Sequence, residues 1–142
     1  MAYCLASSTY IIGLGFRLRN TIFKMSFADK INKFGKPNFI PEGWYWLLKS
    51  DDIKVNQAKP AKFLTHDFVV YRGVDQKVRI LDAHCPHMGA HLCDGKVEGN
   101  SIRCPFHLWK FNELGQCENI PVLKEPAKVD VLNSYKSEEK YG

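Results

Sequence analysis

Short runs of β-branched and aromatic residues, separated by turn signals, dominate the chain from Trp44 onward. Apolar positions do not recur at the interval of an amphipathic helix, so the pattern favours strands. The dipeptide Gly99-Asn100 is typical of a two-residue hairpin turn, and further turns are predicted at residues 73–76 and 114–116. The predicted strands lie at residues 44–49, 62–64, 68–72, 78–82, 96–98, 101–103, 109–112 and 128–132. This part of the chain is therefore predicted to be all-β.

The N-terminal segment has a different pattern. Its first sixteen residues, MAYCLASSTYIIGLGF, carry no charge, and Arg17 and Arg19 follow before the first acid at Asp29. The run is shorter than the about 20 apolar residues of a membrane-spanning helix, and a secretory signal places positive charge before its apolar run. We expect residues 1–40 to be a leader or N-terminal extension, either a targeting segment or a disordered one, and residues 41–142 to form the folded domain.

Composition places the chain among ordinary globular proteins. It has 142 residues, 45% of them hydrophobic and 25% charged, which argues against a disordered chain or a coiled coil. Twenty Lys and Arg residues against fifteen Asp and Glu residues give a net charge of +5. This excess suits an acidic redox partner or an anionic surface, and it falls short of a nucleic-acid-binding signature.

The cysteines do not form a disulfide framework. Their number, five, is odd, and Cys4 lies in a separate segment. We therefore expect reduced cysteines and a location inside the cell, in the cytoplasm, with the N-terminal segment as a candidate for weak membrane association.

Two Cys and two His residues fall into tight pairs that point to a metal. The first pair is Cys85-Pro86-His87, and the second is Cys104-Pro105-Phe106-His107. Structural zinc sites mostly take two sulfurs from one loop, whereas each of these loops offers one sulfur and one nitrogen. This division suits two metals side by side, as in a Rieske centre, where two Cys hold one iron and two His hold the other. A mononuclear zinc site built from the same four residues is the alternative.

The loops and their surroundings resemble a known family. CPHMGAHL and CPFHLWKF are similar to the two cluster-binding loops of the Rieske 2Fe-2S fold. PEGWYWL, VRILDAHCPH, DGKVEGNSIRCPFH and GQCENIP resemble the amino-terminal domain of Rieske non-haem iron oxygenases, most strongly the cholesterol 7-desaturase and ketosteroid hydroxylase branch. The resemblance implies an antiparallel β-sandwich with a small cluster-binding subdomain at about residues 83–112. It also implies that Cys85 and Cys104 hold a buried iron and that His87 and His107 hold an outer one.

Three further features of the loops lead to expectations. Gly89 and Gly95 are expected to allow tight turns. Trp109 is expected to cover the cluster from solvent. Two of the three remaining cysteines, Cys93 and Cys117, are interpreted as small buried hydrophobic residues.

The chain lacks residues for a second, catalytic iron. Oxygenases of this family hold that iron with two His and one carboxylate in a following domain, and no His follows His107. One hypothesis is that the chain is the Rieske part of an oxygenase, receiving electrons from an NAD(P)H-dependent reductase or a ferredoxin and passing them to a catalytic domain. The other is a stand-alone Rieske ferredoxin. Substrate is not readable from these residues, so the sterol assignment follows from the resemblance alone.

We predict a low reduction potential. Rieske proteins of cytochrome complexes add a Cys to each loop and place Ser and Tyr hydroxyls beside the sulfurs, and this chain has Ala90, Phe106, Trp109 and Phe111 at those positions. Because fewer hydrogen bonds stabilise the reduced cluster less, the midpoint should lie near the low end of the roughly −150 to +300 mV Rieske range. Protein-film voltammetry measures this, and a midpoint above about +100 mV would contradict the prediction.

Overall fold

The structure is a computed structural model that describes residues 11–15, 44–123 and 131–140. Over these ranges the chain forms strands and two short 3-10 turns, at Ser50–Asp52 and Leu92–Asp94. The strands are β1 Ile11–Gly15, β2 Trp44–Lys49, β3 Ala58–Phe63, β4 His66–Arg72, β5 Val78–Asp82, β6 Lys96–Glu98, β7 Ser101–Arg103, β8 Lys110–Phe111, β9 Cys117–Asn119 and β10 Ser134–Lys140. The all-β expectation is confirmed.

The strands form two antiparallel sheets. The base sheet has six strands in the order β2-β1-β10-β5-β4-β3, and the small sheet has four in the order β6-β7-β8-β9. Adjacent strands in the small sheet are also consecutive in the chain, so three local connections build it. The connection between β7 and β8 contains the second Cys/His pair, and the segment after β5 contains the first.

Strands β4 and β5 of the base sheet are buried on both faces. In β4, Phe68 and Val70 contribute to one core cluster, whereas Val69 and Tyr71 contribute to the other. Side chains alternate across a strand, so an unbroken apolar run supplies both clusters at once. This explains why FVVY is predicted correctly as a strand although it does not alternate between apolar and polar residues.

The core between the two sheets includes both paired cysteines. Cys85 and Cys104 belong to the cluster that contains Leu81 and Leu92 from the first half of the domain and Ile102 and Phe111 from the small sheet. The thiols are therefore part of the apolar packing that joins the sheets.

Most sequence-predicted strands are confirmed. The bounds match at residues 44–49, 78–82, 96–98 and 101–103, while the strand predicted at 68–72 begins two residues earlier. The strand predicted at 62–64 ends at Phe63 and starts at Ala58, and the one predicted at 109–112 contains only Lys110–Phe111. The three turns also occur where predicted, and Gly99 adopts a φ of 66° between β6 and β7.

Three strands were not predicted. Strand β10 lies inside the base sheet, but its sequence SYKSEEK is rich in charged residues and lacks the apolar pattern of a strand. Strand β9 is only three residues long. Strand β1 lies within the expected leader and pairs with both β2 and β10. Of the strand predicted at 128–132, residues 128–130 lie outside the described part, and Val131 and Leu132 are not in a strand.

The other expectations for the N-terminal segment fall outside the described residues, apart from 11–15. Within the described ranges, no helix is long and apolar enough to span a membrane.

A buried arginine ties the base sheet to the small sheet. Arg79 on β5 donates to the carboxylate of Glu113, in the turn between β8 and β9, at 2.6 and 3.0 Å. The same guanidinium donates two 2.8 Å bonds to Asp75. A second tie runs from the Tyr71 hydroxyl to the carbonyl of Asn100 at 3.2 Å. These polar contacts complement the apolar packing between the sheets.

Replacing Arg79 by Met should lower the free energy of unfolding by about 3 kcal/mol, because it leaves two neighbouring carboxylates without their cation. Glu113→Ala should cost only about 1 kcal/mol, since Glu113 is partly solvated and Arg79 keeps Asp75. Urea unfolding of the cluster-loaded protein, followed by tryptophan fluorescence, measures both.

The control is Lys62→Ala, which removes an exposed ion pair with Asp67 of 3.4 Å. It should change stability by less than about 0.5 kcal/mol. Equal effects of Arg79→Met and Lys62→Ala would show that Arg79 does not hold the sheets together.

Candidate metal centre

Each Cys/His pair lies on a short loop closed by backbone hydrogen bonds. In the first loop the Cys85 amide donates to the Ala90 carbonyl at 2.9 Å, and the Gly89 amide donates to the Cys85 carbonyl at 2.8 Å. In the second loop the Cys104 amide donates to the Trp109 carbonyl at 2.8 Å. Both loops therefore return to their own cysteine, which fixes the side chains between the closing bonds.

The loops bring the four candidate ligands together in two layers. Cys85 and Cys104 are 3% and 2% exposed, and their thiols are close enough to interact electrostatically. The His87 and His107 rings are exposed, with centroids 4.6 Å apart. A thiol pair thus lies inside the domain, and an imidazole pair lies above it at the surface.

The electrostatics of the thiol pair favour a bound cation. Burial, with a smaller contribution from the neighbouring Cys104, raises the pKa of Cys85 to about 11. The backbone amides of His87 and Met88 oppose this by donating toward the sulfur. A coordinating metal deprotonates such thiols, and thiolate with imidazole is a donor set for iron. The residues present therefore fit an iron-sulfur cluster.

Across the described residues, no three His, Cys, Asp or Glu side chains are grouped so that they could hold one ion. A Rieske cluster draws only two side chains to each of its irons.

The remaining cysteines are separate from this pair. Cys93 and Cys117 are free, half-buried and packed against the core, and burial raises the pKa of each thiol. The interpretation of both as small hydrophobic residues fits this packing. Ala90 and Phe106 occupy the positions where a second cysteine pair would be needed, so no disulfide joins the two loops.

The two loop glycines are required for different reasons. Gly89 has a φ of 73°, in the left-handed region. Gly95 has an ordinary φ, but a Cβ there would overlap the backbone carbonyl of Arg103. Because Arg103 precedes Cys104, Gly95 lets the first loop pack directly against the strand that leads into the second.

Other aromatic and histidine residues have clear positions. Trp109 is half-buried and lies against the His87 ring, whereas Trp44 and Trp46 are exposed and outside the core. His84 and His91 pair at the base of the first loop, with ring centroids 5.1 Å apart.

Sequence reasoning missed an apolar groove beside the histidines. The groove has a volume of about 350 Å³ and is lined by His87, the segment from Phe106 to Trp109, and residues 120–123. Residues 85–92, 104–109 and 120–123 contain no Asp, Glu, Lys or Arg. The lack of charge in these segments could have indicated an apolar surface. The sequence does not show that residues 120–123 lie beside the second loop, because that contact depends on the fold.

The fold combines a base sheet and a small sheet with two loops, and the loops bring two buried thiols and two exposed imidazoles together. This arrangement defines a class of domain that binds a metal cluster and transfers electrons. The chain belongs to the Rieske 2Fe-2S domain family, which matches residues 43–136. The cofactor of this family is the Rieske-type 2Fe-2S cluster.

The curated relatives include two sterol or steroid enzymes. Cholesterol 7-desaturase nvd of Drosophila melanogaster is 41% identical over 122 residues, which are 78% of this chain and 28% of the relative. The oxygenase component of 3-ketosteroid-9-alpha-monooxygenase from Rhodococcus rhodochrous is 31% identical over 106 residues, 75% of this chain and 28% of the relative. The chain thus spans less than a third of the length of these relatives.

Solved structures of two kinds share the fold. Dicamba monooxygenase with non-haem iron and dicamba has a TM-score of 0.59 and 28% identity, covering 65% of this chain and 28% of that one. The Sphingomonas yanoikuyae B1 ferredoxin has a TM-score of 0.54 and 26% identity, covering 63% of this chain and 83% of that one.

Gly95→Ala should reduce the iron content of the purified protein, because the added methyl group displaces the Arg103 backbone next to Cys104. Gly99→Ala is the matched control, since its Cβ would meet nothing within 4 Å. It should cost only about 1–2 kcal/mol for its left-handed conformation, with iron content unchanged. Iron analysis and thermal unfolding compare the two, and equal iron loss in both variants would contradict the prediction.

Proposed function

We propose that this chain transfers single electrons through a low-potential Rieske 2Fe-2S cluster, with Cys85 and Cys104 on the inner iron and His87 and His107 on the outer iron. The observation that carries the proposal is the layered arrangement of a buried thiol pair below an exposed imidazole pair. A bound cluster supplies one-electron oxidation and reduction. The surrounding residues determine where an electron can enter or leave.

The two layers have different tasks. Cys85 and Cys104 lie in the core, where the surrounding apolar residues keep water away from their sulfurs. The backbone amides of His87 and Met88 donate toward the Cys85 sulfur. His87 and His107 are exposed, so the outer iron that they would hold would lie at the protein surface. Partners can therefore approach on the histidine side without disturbing the core.

We further propose that the domain is the Rieske part of a sterol- or steroid-directed oxygenase. The two relatives above support this direction, because the desaturase is named for cholesterol and the monooxygenase for a ketosteroid. The electron donor would be an NAD(P)H-dependent reductase or a ferredoxin. The acceptor would be a mononuclear non-haem iron in an oxygenase catalytic domain. In this proposal residues 41–142 form the Rieske domain.

A stand-alone Rieske ferredoxin is the second candidate. The Sphingomonas ferredoxin favours it, since the shared fold covers 83% of that small protein. The genomic sequence beyond the last codon distinguishes the two. A continuation encoding two His and a carboxylate for a second iron favours the oxygenase, while a stop followed by an unrelated gene favours the carrier.

The purified chain should contain iron and acid-labile sulfide in equal amounts, about two of each per chain, and the reduced protein should give a Rieske-type EPR spectrum. His107→Cys should give a cluster without that spectrum, or no cluster, because a thiolate replaces one imidazole. His66→Cys is the control, since His66 lies at the start of β4 and belongs to neither Cys/His pair.

Zinc without sulfide would overturn the cluster assignment. An unchanged spectrum in His107→Cys would show that His107 is not a ligand.

A further inference from the structure

The two imidazoles of the histidine pair have different aromatic neighbours. His87 lies flat against the indole of Trp109, with ring centroids 4.6 Å apart and ring planes only 5° apart. His107 meets His87 at 65° and Phe106 at 40°. Among the ring contacts of the described residues, a parallel stack therefore supports His87 and not His107.

Trp109 is a firm support because it is itself held in place. Its side chain is half-buried, packs against the core between the sheets and lies 6.5 Å from the Phe111 ring. Its carbonyl accepts the hydrogen bond from the Cys104 amide that closes the second loop. Phe106, the neighbour of His107, is 59% exposed. The indole thus offers His87 a fixed surface that Phe106 cannot offer His107.

The backbone before Trp109 takes an unusual conformation. Leu108 has a φ of 60°, in the left-handed region that residues other than glycine seldom adopt. Its side chain is 45% exposed, so burial of this side chain does not account for the conformation. The conformation lies between His107 and Trp109, at the point where the loop turns back toward Cys104. Such strain is retained where surrounding contacts require it, and here the contacts are the closing hydrogen bond and the stack.

The stack also connects the two loops. His87 belongs to the first loop and Trp109 to the second, so the contact fixes one loop against the other at the surface, above the buried thiols. Rotation of the His87 ring about its Cβ–Cγ bond would break the parallel stack with Trp109. Rotation of His107 meets no such restraint among the ring contacts described.

We propose that Trp109 is a positioning residue for the cluster, and that its indole holds the plane of the His87 imidazole by stacking from the opposite loop. The inference rests on the proposed function, because it takes His87 as a ligand. Trp109 does not supply electrons or coordinate iron in this role. It selects one orientation of one of the two imidazoles at the outer iron.

The test compares Trp109→Leu, which keeps bulk and removes the ring, with Trp109→Phe, which keeps a smaller ring. Trp46→Leu is the matched control, since Trp46 is exposed on β2 of the base sheet. Each protein is labelled with ¹⁵N-histidine, loaded with its cluster, reduced and studied by pulsed electron-nuclear double resonance. Iron and sulfide content are measured in parallel.

The expected result is two sharp sets of imidazole nitrogen couplings in the unaltered protein and in Trp46→Leu. Trp109→Leu should lose the sharpness of one set and keep the other, and Trp109→Phe should lie between. A merely structural role would broaden both sets or lower cluster content without affecting one imidazole selectively.

Two sharp sets in Trp109→Leu, or equal broadening of both, would overturn the proposal. If Trp109→Leu does not retain a cluster, Trp109→Phe decides, because its smaller ring should still broaden one set alone. Failure of the proposed function is distinguishable, since the unaltered protein would then contain no pair of imidazole couplings at all.

Discussion

Two thiols must meet inside an apolar core while the histidines two or three residues further along each loop remain at the surface. Cys85 and Cys104 are both packed among the buried residues that join the sheets. Burial makes ionisation of Cys85 unfavourable, so a cationic centre beside the thiols compensates for that cost. The short loops, their closing hydrogen bonds and the small sheet all keep this arrangement in place.

The base sheet controls the orientation of these loops. Arg79 and Tyr71 reach from the base sheet to turns of the small sheet, and Gly95 allows direct packing against Arg103. A second polar cluster, in which Arg72 contacts Ser50 and Glu139, joins β4, β10 and the 3-10 turn that follows β2. The small sheet has charged pairs of its own, Arg103 with Glu98 at 2.7 Å and Lys110 with Glu118 at 3.7 Å, whereas the two loops are closed by backbone hydrogen bonds.

The surface near the histidines differs from the rest of the chain. The groove beside the histidines is lined by apolar and aromatic side chains together with the two imidazoles. A partner approaching this surface would encounter aromatic and aliphatic groups around the imidazoles.

The sequence by itself determined the all-β class, most strand positions and the two Cys/His pairs, because strand patterns and loop spacing are local properties of the chain. It could not reveal β10, whose polar composition is compatible with a strand only because neighbouring strands supply its pairing. Nor could it place Trp109 against His87, or residues 120–123 beside Phe106. Those contacts join segments that are distant along the chain, and only the packing of the two sheets decides their distance and orientation.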